Sequence, residues 1–306
     1  MTRYILKRFL ISVPTLLLVV TLVFLAFQLI PGDPARMYVG VDASQEAVEQ
    51  VRHDLGLDQP VWTQYVTYMS RLVHGDLGKS IYTRRSVVSE LAPRFRNTLE
   101  LSLAAIVFAT VVGVVLGTLA TVKQGTGWDR LLTVLSLFGI SMPVFWLGLL
   151  LTYVFSVHWH LLPSAGNETW RHFLMPTLCL SAFSLAFITR MTRSALLEVL
   201  AQDYVRTALA KGVREAVVVG WHALRNAMLP VVTVVGLRFG YMLGGAVVTE
   251  EVFAWPGLGR LLVTAVGQRD IPLVQGALLL FGASFVLVNL LVDLVYGILD
   301  PRIRHR

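Results

Sequence analysis

Few side chains in this sequence of 306 residues have a type and spacing that could do chemistry. His158 and His160 flank a tryptophan, but two histidines are too few for a zinc site, which takes three or four protein ligands. Segment 75–80 is similar to a phosphate-binding loop, yet such a loop needs a glycine where Val73 stands. The chain has neither a His-Glu-x-x-His nor a Gly-x-Ser-x-Gly motif. We therefore expect no catalytic residue and no metal or nucleotide bound by this chain.

The elements that carry these residues follow from the hydropathy pattern. Hydrophobic residues make up 55% of the sequence and charged residues 15%, and the apolar residues come in long uninterrupted blocks. A bilayer core of about 30 Å takes about 20 helical residues, so these blocks predict membrane-spanning helices. Strands of a membrane barrel would be about 10 residues long and would alternate polar with apolar side chains. Six spans are predicted, at 9–30, 101–122, 131–157, 173–189, 227–248 and 273–292.

The distribution of charge predicts how the spans are oriented. The net charge is +7, and arginine and lysine in short loops favour the cytoplasmic side. If the N-terminus is cytoplasmic, the two short outer loops hold only Arg171, Arg260 and Arg269. We therefore expect a multi-pass protein of the cytoplasmic membrane with both termini in the cytoplasm. The uncharged run 9–30 is longer than the core of a secretory signal and is predicted to be a retained span.

The predicted organisation has four parts. They are an N-terminal span at 1–30, a helical extracytoplasmic segment at 31–97, a five-helix core at 98–299 and a tail at 300–306. In the extracytoplasmic segment, apolar residues have helical spacing after Ser44, from Val61 and after Ser86. These stretches predict a small helical cap.

Within the core, the cytoplasmic loop at 190–226 mixes apolar with basic residues. The pattern predicts two short amphipathic helices that are separated at Gly212. Such a surface suits docking on a partner protein. It also suits the membrane interface, where basic residues contact lipid headgroups, and the pattern alone leaves both interpretations open.

A series of motifs makes the chain resemble the permease subunits of binding-protein-dependent ABC importers. The loop pattern of that family is Glu-Ala-Ala, three residues, glycine, then Ile-x-Leu-Pro, and Ala208, Gly212 and Leu224 match it here. The closer resemblance is to the branch for dipeptides, oligopeptides, glutathione and nickel, in which Arg225 is usual at the proline position. Matches to that branch lie at 31–35, 55–60, 141–143, 203–212, 224–230, 252–260 and 300–301.

This resemblance implies an all-α membrane protein of the type I ABC importer permease fold, with about six transmembrane helices. The chain would be a transport subunit and not an enzyme. Its partners would be a second homologous permease, two cytoplasmic subunits that bind ATP and Mg²⁺, and an extracytoplasmic substrate-binding protein. Lipid would surround it, and nucleic acid would play no part. The cargo implied is a dipeptide, an oligopeptide or glutathione, with nickel or a metal chelate as the alternative.

The resemblance also implies that residues 204–212 form the coupling helix to which an ATPase binds. The residues implied in ATPase coupling are Asp203, Tyr204, Arg206, Thr207, Ala208, Lys211, Gly212, Arg225 and Asn226. A secondary transporter or channel that works alone is the rival class, but its inverted repeats and mid-span acids are not visible. An intramembrane enzyme would need a nucleophile–base or metal motif, which the sequence lacks.

Arg238 stands inside the predicted fifth span, where a charge is costly. We predict that it lies on the substrate path with Met142 and Pro143, where it would meet the carboxylate of a passing peptide. The alternative is a structural ion pair, for example with Asp293. The turn at the outer end of this span is predicted to be an outer gate or a simple aromatic anchor. The gate residues are Phe253, Trp255, Pro256 and Gly257.

Small residues recur at helical spacing in two spans. Gly236, Gly240 and Gly244 share one face of the fifth span, as Gly113 and Gly117 do in the second. We predict that these faces pack inside the chain, while a contact with a second permease is the other possibility. The single cysteine, at position 179, is predicted to be a packing residue.

Overall fold

The computed structural model of the chain describes residues 2–29, 33–39, 43–54 and 56–299. These residues form helices and no strand apart from one isolated antiparallel bridge between Lys79 and Ser86, so the predicted all-α class is confirmed. In chain order the helices are α1 (Thr2–Gln28), α2 (Pro34–Val39), α3 (Gln45–Asp54), α4 (Val61–Val73), α5 (Val87–Val122), α6 (Gly127–Ser141), α7 (Val144–Leu151), α8 (Trp170–Leu200), α9 (Asp203–Ala210), α10 (Glu215–Val217), α11 (Leu224–Val252), α12 (Leu258–Gly267) and α13 (Ile271–Leu299). Two π-helical stretches, Thr152–His158 and Val218–Ala223, follow α7 and α10.

Five of the described helices are long and apolar enough to cross a membrane: α1, α5, α8, α11 and α13. Helix α8 has 31 residues, which is about 45 Å at 1.5 Å per residue and enough to cross a bilayer with one turn or more to spare. Helices α5 and α8 lie side by side in parallel, since Gly113 faces Ile188 and, one turn on, Gly117 faces Thr192. We call the end at which both helices begin the cap end, and the end at which they finish the loop end.

Helices α6 and α7 form a broken sixth span. They bend by 108° around Met142 and Pro143, because proline cannot continue the hydrogen-bond ladder of a helix. Near the loop end, Arg193 of α8 binds Asp129 of α6. Beyond the bend, the thiol of Cys179 donates to a carbonyl oxygen of the first turn of α7. The pair thus follows α8 from its last turns toward its first, as one interrupted span.

Glycines permit the closest helix contacts. A Cβ at Gly117 would lie 2.6 Å from the carbonyl oxygen of Thr189, and one at Gly236 would lie 2.1 Å from Val292 of α13. Gly240 faces Phe285 of the same helix. These glycines pack inside the chain, as predicted. Gly244 differs, because a Cβ there would meet nothing within 4 Å among the described residues.

Residues 33–39, 43–54 and 56–86, which we call the cap, cover one end of the bundle. Helix α4 lies against α1, where the hydroxyls of Tyr65 and Thr21 are 2.8 Å apart and the ring of Phe24 meets Tyr65 edge-on. The last part of the cap is held by Asp270, whose side chain is buried at the start of α13. This carboxylate accepts hydrogen bonds from the hydroxyl of Ser80 and from backbone N–H groups on either side.

Three features of the fold differ from the sequence prediction. The third cap helix is continuous with the second span, so the predicted boundary between 97 and 98 falls within α5, which also contains Pro93. Helix α8 extends beyond the predicted end of the fourth span at 189, because its polar last turns continue past the apolar layer. Helix α12 was not predicted, since its ten residues are too few for a span. Predictions that concern residues 30–32, 55 and 300–306 lie outside the described residues.

Candidate functional site

At the loop end, a short helix rests on an apolar platform. Helix α9 directs Val205 inward, where only 1% of the side chain is exposed, and contacts both α8 and the π-helical stretch after α10. The platform joins the end of α8, that π-helical stretch and the start of α11. Its buried residues are Ala195, Leu196, Val199, Val219, Ala223 and Ala227. Because tightly packed elements shift as units, a displacement of α9 would be passed to both long helices.

A side-chain hydrogen bond also fastens α9 to the start of α11. The amide nitrogen of Asn226 donates to the hydroxyl of Tyr204 at 2.8 Å, and that hydroxyl lies 3.5 Å from the carbonyl oxygen of His222. The structure thus brings together two of the residues that the resemblance implies, Tyr204 and Asn226, across 22 positions of sequence. Their contact orients α9 relative to the first turn of a membrane helix.

The loop end exposes a surface that is both basic and apolar. Leu209 is 46% exposed and Trp221 67% exposed, and the charged side chains of Arg206, Lys211 and Arg225 are exposed as well. We call these five side chains the coupling surface. Of the other residues implied in coupling, Asp203 and Thr207 are exposed and Ala208 is half-buried. Exposed large apolar side chains beside cations suit a protein partner with acidic and apolar residues.

Gly212 follows the end of α9, as the sequence pattern predicts. Its φ is +80°, in the left-handed region that glycine adopts without a steric penalty. Its amide N–H donates to the carbonyl oxygen of Leu209 and closes the last turn. A residue with a side chain would be strained at this φ. Glycine therefore lets the chain turn after α9 without backbone strain.

An ion pair that sequence reasoning missed braces the same end of the molecule. The guanidinium of Arg193 donates to both oxygens of Asp129, from Nε at 3.0 Å and from Nη2 at 3.0 Å. The amide of Gly125 donates to the same carboxylate, which is mostly buried. This two-pronged contact fixes the turn before α6 against α8, next to the platform. In the sequence, a basic residue such as Arg193 near the end of a span indicates only how the span is oriented in the membrane. Nothing in the sequence pattern predicted that it pairs with Asp129.

Arg238 lies in the middle of α11 and is held by aromatic rings. Its guanidinium carbon is 4.0 Å from the ring centre of Phe187 and 4.8 Å from that of Phe183 on α8. The suggested pairing with Asp293 is wrong, because that carboxylate binds Arg8 of α1 at 3.0 Å. In the described part of the chain, no carboxylate forms a salt bridge with Arg238. Two phenyl faces therefore stabilise the cation, and its hydrogen-bond donors stay available.

Met142 and Pro143 lie near the same depth as Arg238. One turn before the bend, a Cβ on Gly139 would lie 2.7 Å from the carbonyl oxygen of Ala182 on α8. The ring of Phe183, which supports Arg238, follows Ala182 directly and projects about 100° further around the helix. The broken span, close to its bend, thus contacts one face of α8, and Arg238 contacts the neighbouring face of the same helix.

The predicted outer gate is a packed junction at the cap end. Phe253 and Trp255 are each 1% exposed, so they are core residues and not an aromatic anchor at the membrane surface. The indole N–H of Trp255 donates to the carbonyl oxygen of Asn97, whose side chain donates to the carbonyl oxygen of Pro256. Gly257 lies against a buried carboxylate, from which a Cβ would be 2.2 Å away.

That carboxylate belongs to Glu250, which no solvent reaches. It accepts a hydrogen bond from the hydroxyl of Thr98 at 2.5 Å. It also accepts hydrogen bonds from the backbone N–H groups of Gly259 and Arg260 at 2.7 and 3.1 Å. The carboxylate thereby caps the N-terminus of α12 and ties α11 to α5. An acid followed within ten residues by a turn with Pro256, Gly257 and Gly259 is the signal that could have indicated such a cap.

The histidine pair, segment 75–80 and Cys179, the remaining candidates for chemistry, lie at a helix end, in a turn and in a packed position of the fold. Among the described residues, no three histidine, cysteine, aspartate or glutamate side chains form a group that could hold a metal ion. His160 adopts a φ of +52° in the loop after the broken span. Segment 75–80 is the turn that Asp270 holds, and Cys179 packs beside Met175 and Phe253.

These features define a class of protein: a helical membrane protein with a broken span, a cap at one end and a short amphipathic helix at the opposite end. The family described as binding-protein-dependent transport system inner membrane component matches residues 113–305, and its N-terminal membrane-component counterpart matches residues 1–103. The chain belongs to this family of inner-membrane transport components.

Curated relatives match the chain over its full length. The glutathione transport system permease protein GsiC of Escherichia coli (strain CFT073) is 48% identical over 306 residues, which is 100% of both chains. The proteins of that name from Shigella dysenteriae and Shigella flexneri are 47% identical over the same length.

Solved structures of lower sequence identity share the fold. The MetNI methionine ABC transporter in inward-facing conformations contains a chain that is 19% identical, with a TM-score of 0.57, 69% of this chain covered and 96% of that one. An amino acid ABC transporter with histidines gives 16% identity and a TM-score of 0.52, with 77% and 98% covered. The predicted importer permease fold is therefore confirmed.

Proposed function

We propose that this permease imports short peptides, with glutathione as the first candidate cargo. The observation that carries the proposal is the 48% identity, over the whole length of both chains, to a permease of a glutathione transport system. The match covers every span and the cap, and so includes the segments that would meet the cargo and its delivery protein. Nickel or a metal chelate, the alternative from the family resemblance, is not favoured by these relatives.

The permease works in an assembly that supplies the energy. We infer a second homologous permease, two ATPase subunits and an extracytoplasmic binding protein. The family description names dependence on the binding protein, and the other subunits follow from the resemblance to ABC importer permeases. The coupling surface supports the ATPase contact, since its cations and exposed apolar residues suit an acidic, apolar-lined groove. The platform under α9 supports transmission of the motion, because α8 and α11 share its buried residues.

We infer that the loop end faces the cytoplasm and the cap end faces outward. The loop end carries the cations of the coupling surface together with Lys123, in the short connection after α5, and Arg130, in the first turn of α6, and cations in these places favour the inside. This orientation puts α9 on the side where ATP is available. It puts the cap where a binding protein delivers cargo.

Arg238 supports a substrate path that selects for carboxylates. A guanidinium in the membrane is costly, and such a cation commonly marks a functional site. The two phenyl rings hold this one without neutralising its charge. We infer that it meets a carboxylate of the passing peptide beside the bend at Met142 and Pro143. The comparison of Arg238→Gln with Arg238→Lys tests this, because lysine keeps the charge and loses the forked donor geometry.

Transport in reconstituted liposomes tests the function. The chain would be reconstituted with its partner permease, ATPases and binding protein, and uptake of glutathione, a dipeptide and nickel would be compared with and without ATP. We expect ATP-dependent uptake of glutathione, at least about tenfold weaker in Arg238→Gln if one charge-assisted contact is lost. Uptake without the ATPase subunits would show a transporter that works alone and would overturn the proposal.

A further inference from the structure

The cap borders a partly open cavity of about 530 Å³ that lies apart from Arg238 and from the coupling surface. Its base is apolar and is formed by the ends of two membrane helices, with Phe24 and Phe27 from α1 and Ile271 from α13. Its walls come from α4 and the cap loops. A volume between about 300 and 1,000 Å³ with an apolar base and a few polar groups is typical of a small-molecule site.

Helix α4 presents its polar face to this cavity. Thr63, Gln64, Thr67, Tyr68 and Arg71 line it, and their spacing of one and four residues defines one side of a helix. Trp62 and Val73 of the same helix are 73% and 81% exposed and do not line the cavity, while Tyr65 packs against α1. The side of α4 that lines the cavity is therefore polar apart from the ring of Tyr68, and we call the cavity the chamber.

The charges that line the chamber are of both signs, with one cation in excess. Arg52 and Asp33 form an ion pair at 2.7 Å. Arg71 and Lys79 also line the chamber, and neither forms a salt bridge with a carboxylate of the described residues. Asp76 adds one carboxylate, of which one oxygen accepts the amide N–H of Gly78 at 2.9 Å.

Hydrogen-bonding groups complete the walls. The amide of Gln64 bridges from Gln28 to the carbonyl oxygen of Gln59, at 3.0 and 2.9 Å, and is thereby fixed. The hydroxyl of Tyr68 is buried near Gln275, and this burial raises the pKa of Tyr68 above its ordinary value, so the group stays a neutral donor. Donors and acceptors beside charges of both signs suit a ligand that carries the same mixture.

We propose that this cap cavity binds a short peptide, with a carboxylate between Arg71 and Lys79 and the ammonium group facing Asp76. The inference rests on the proposed function for its ligand class. A peptide with one more carboxylate than ammonium groups, such as glutathione, complements the excess cation. An anionic lipid headgroup would use the cations but would gain nothing from Asp76 and the neutral amides, so the lining favours the peptide. The cavity would hold cargo at the cap, beside the path through the bundle.

Equilibrium binding of radiolabelled glutathione tests the site. The full chain would be placed in nanodiscs of neutral phosphatidylcholine, and wild type would be compared with Arg71→Gln/Lys79→Gln. Loss of the two cations removes charge-assisted hydrogen bonds, so we expect affinity to fall at least about tenfold. Arg96→Gln is the matched control, since this exposed cation on α5 pairs with Glu100 outside the cavity, and we expect its affinity to be unchanged.

Further arms separate this site from its rivals. Thr67→Trp, which fills the cavity without a change of charge, must lose the binding. The inference is overturned if the double variant binds as wild type does. It is also overturned if phosphatidylglycerol nanodiscs block glutathione and the double variant copurifies with less of that lipid. Glutathione uptake by the full assembly without binding at the cap would refute this inference and leave the proposed function intact.

Discussion

Glu250 offers a sharp test of how the cap end is held together. Its buried carboxylate accepts three hydrogen bonds, from Thr98, Gly259 and Arg260. In Glu250→Ala all three donors lose their acceptor, and each orphaned buried donor costs about 1–3 kcal/mol, so we expect a loss of about 3–5 kcal/mol after partial relaxation. In Glu250→Gln the side-chain oxygen can still accept both backbone N–H groups, but the amide nitrogen faces the threonine hydroxyl. We expect a loss of about 1–3 kcal/mol there.

Unfolding titrations with SDS in mixed micelles would measure these differences. The neighbouring Glu251 is exposed and provides matched controls, Glu251→Ala and Glu251→Gln, which should stay within about 0.5 kcal/mol of wild type. The graded order of alanine below glutamine below wild type is specific to a carboxylate that serves several donors. Equal stability of the variants at 250 and 251 would refute the reasoning.

Three further predictions concern packing, coupling and pH. Gly236→Ala should destabilise the fold by about 1–3 kcal/mol in the same SDS titrations, because its methyl group would overlap a valine of α13, while Gly244→Ala meets open space and should not. Tyr204→Phe removes the hydroxyl that fastens α9, so uptake per ATP hydrolysed should fall in liposomes while ATP binding stays unchanged; unchanged stoichiometry would contradict this. The hydrogen bond between His53 and Asp58 raises the pKa of the histidine and lowers the pKa of the aspartate. The pair therefore stabilises the fold from about pH 4 to 6.5, where both side chains are charged, and this stabilisation is lost as pH rises through the histidine pKa. Proteolysis of the cap should therefore be faster at pH 8 than at pH 5.5, and His53→Gln should remove that difference; a variant that keeps it would contradict the role of the pair.

Much of the fold could be predicted because membrane spans follow local rules. Long apolar blocks predicted the spans. The bend of the third span lies at Pro143, because proline lacks the N–H that would continue the hydrogen-bond ladder of a helix. Gly212 predicted the end of α9 for an equally local reason, because glycine adopts a positive φ without a steric penalty, as it does here. The end of α8 could not be placed, because arginines that leave the apolar layer look the same in a loop and in a helix that continues into water.

The contacts that hold the cap end together join residues far apart in the sequence, and no local sequence pattern predicts them. Asp270 holds Ser80 from 190 positions away, and Thr98 donates to Glu250 across 152. A single sequence carries no sign of such pairs. The surroundings of Arg238 show the same limit: its place in the membrane was predictable, but the aromatic rings that hold it come from another helix.

Photo-crosslinking from α9 in the assembled transporter tests the central claim most directly. A benzoylphenylalanine at Leu209, which is exposed on the coupling surface, would be activated in membranes that contain the partner ATPase. We predict a crosslink to the ATPase on the cytoplasmic face, and none from the same probe at Trp62 on the cap. A crosslink from Leu209 only to lipid, or to a protein on the outer face, would contradict the account.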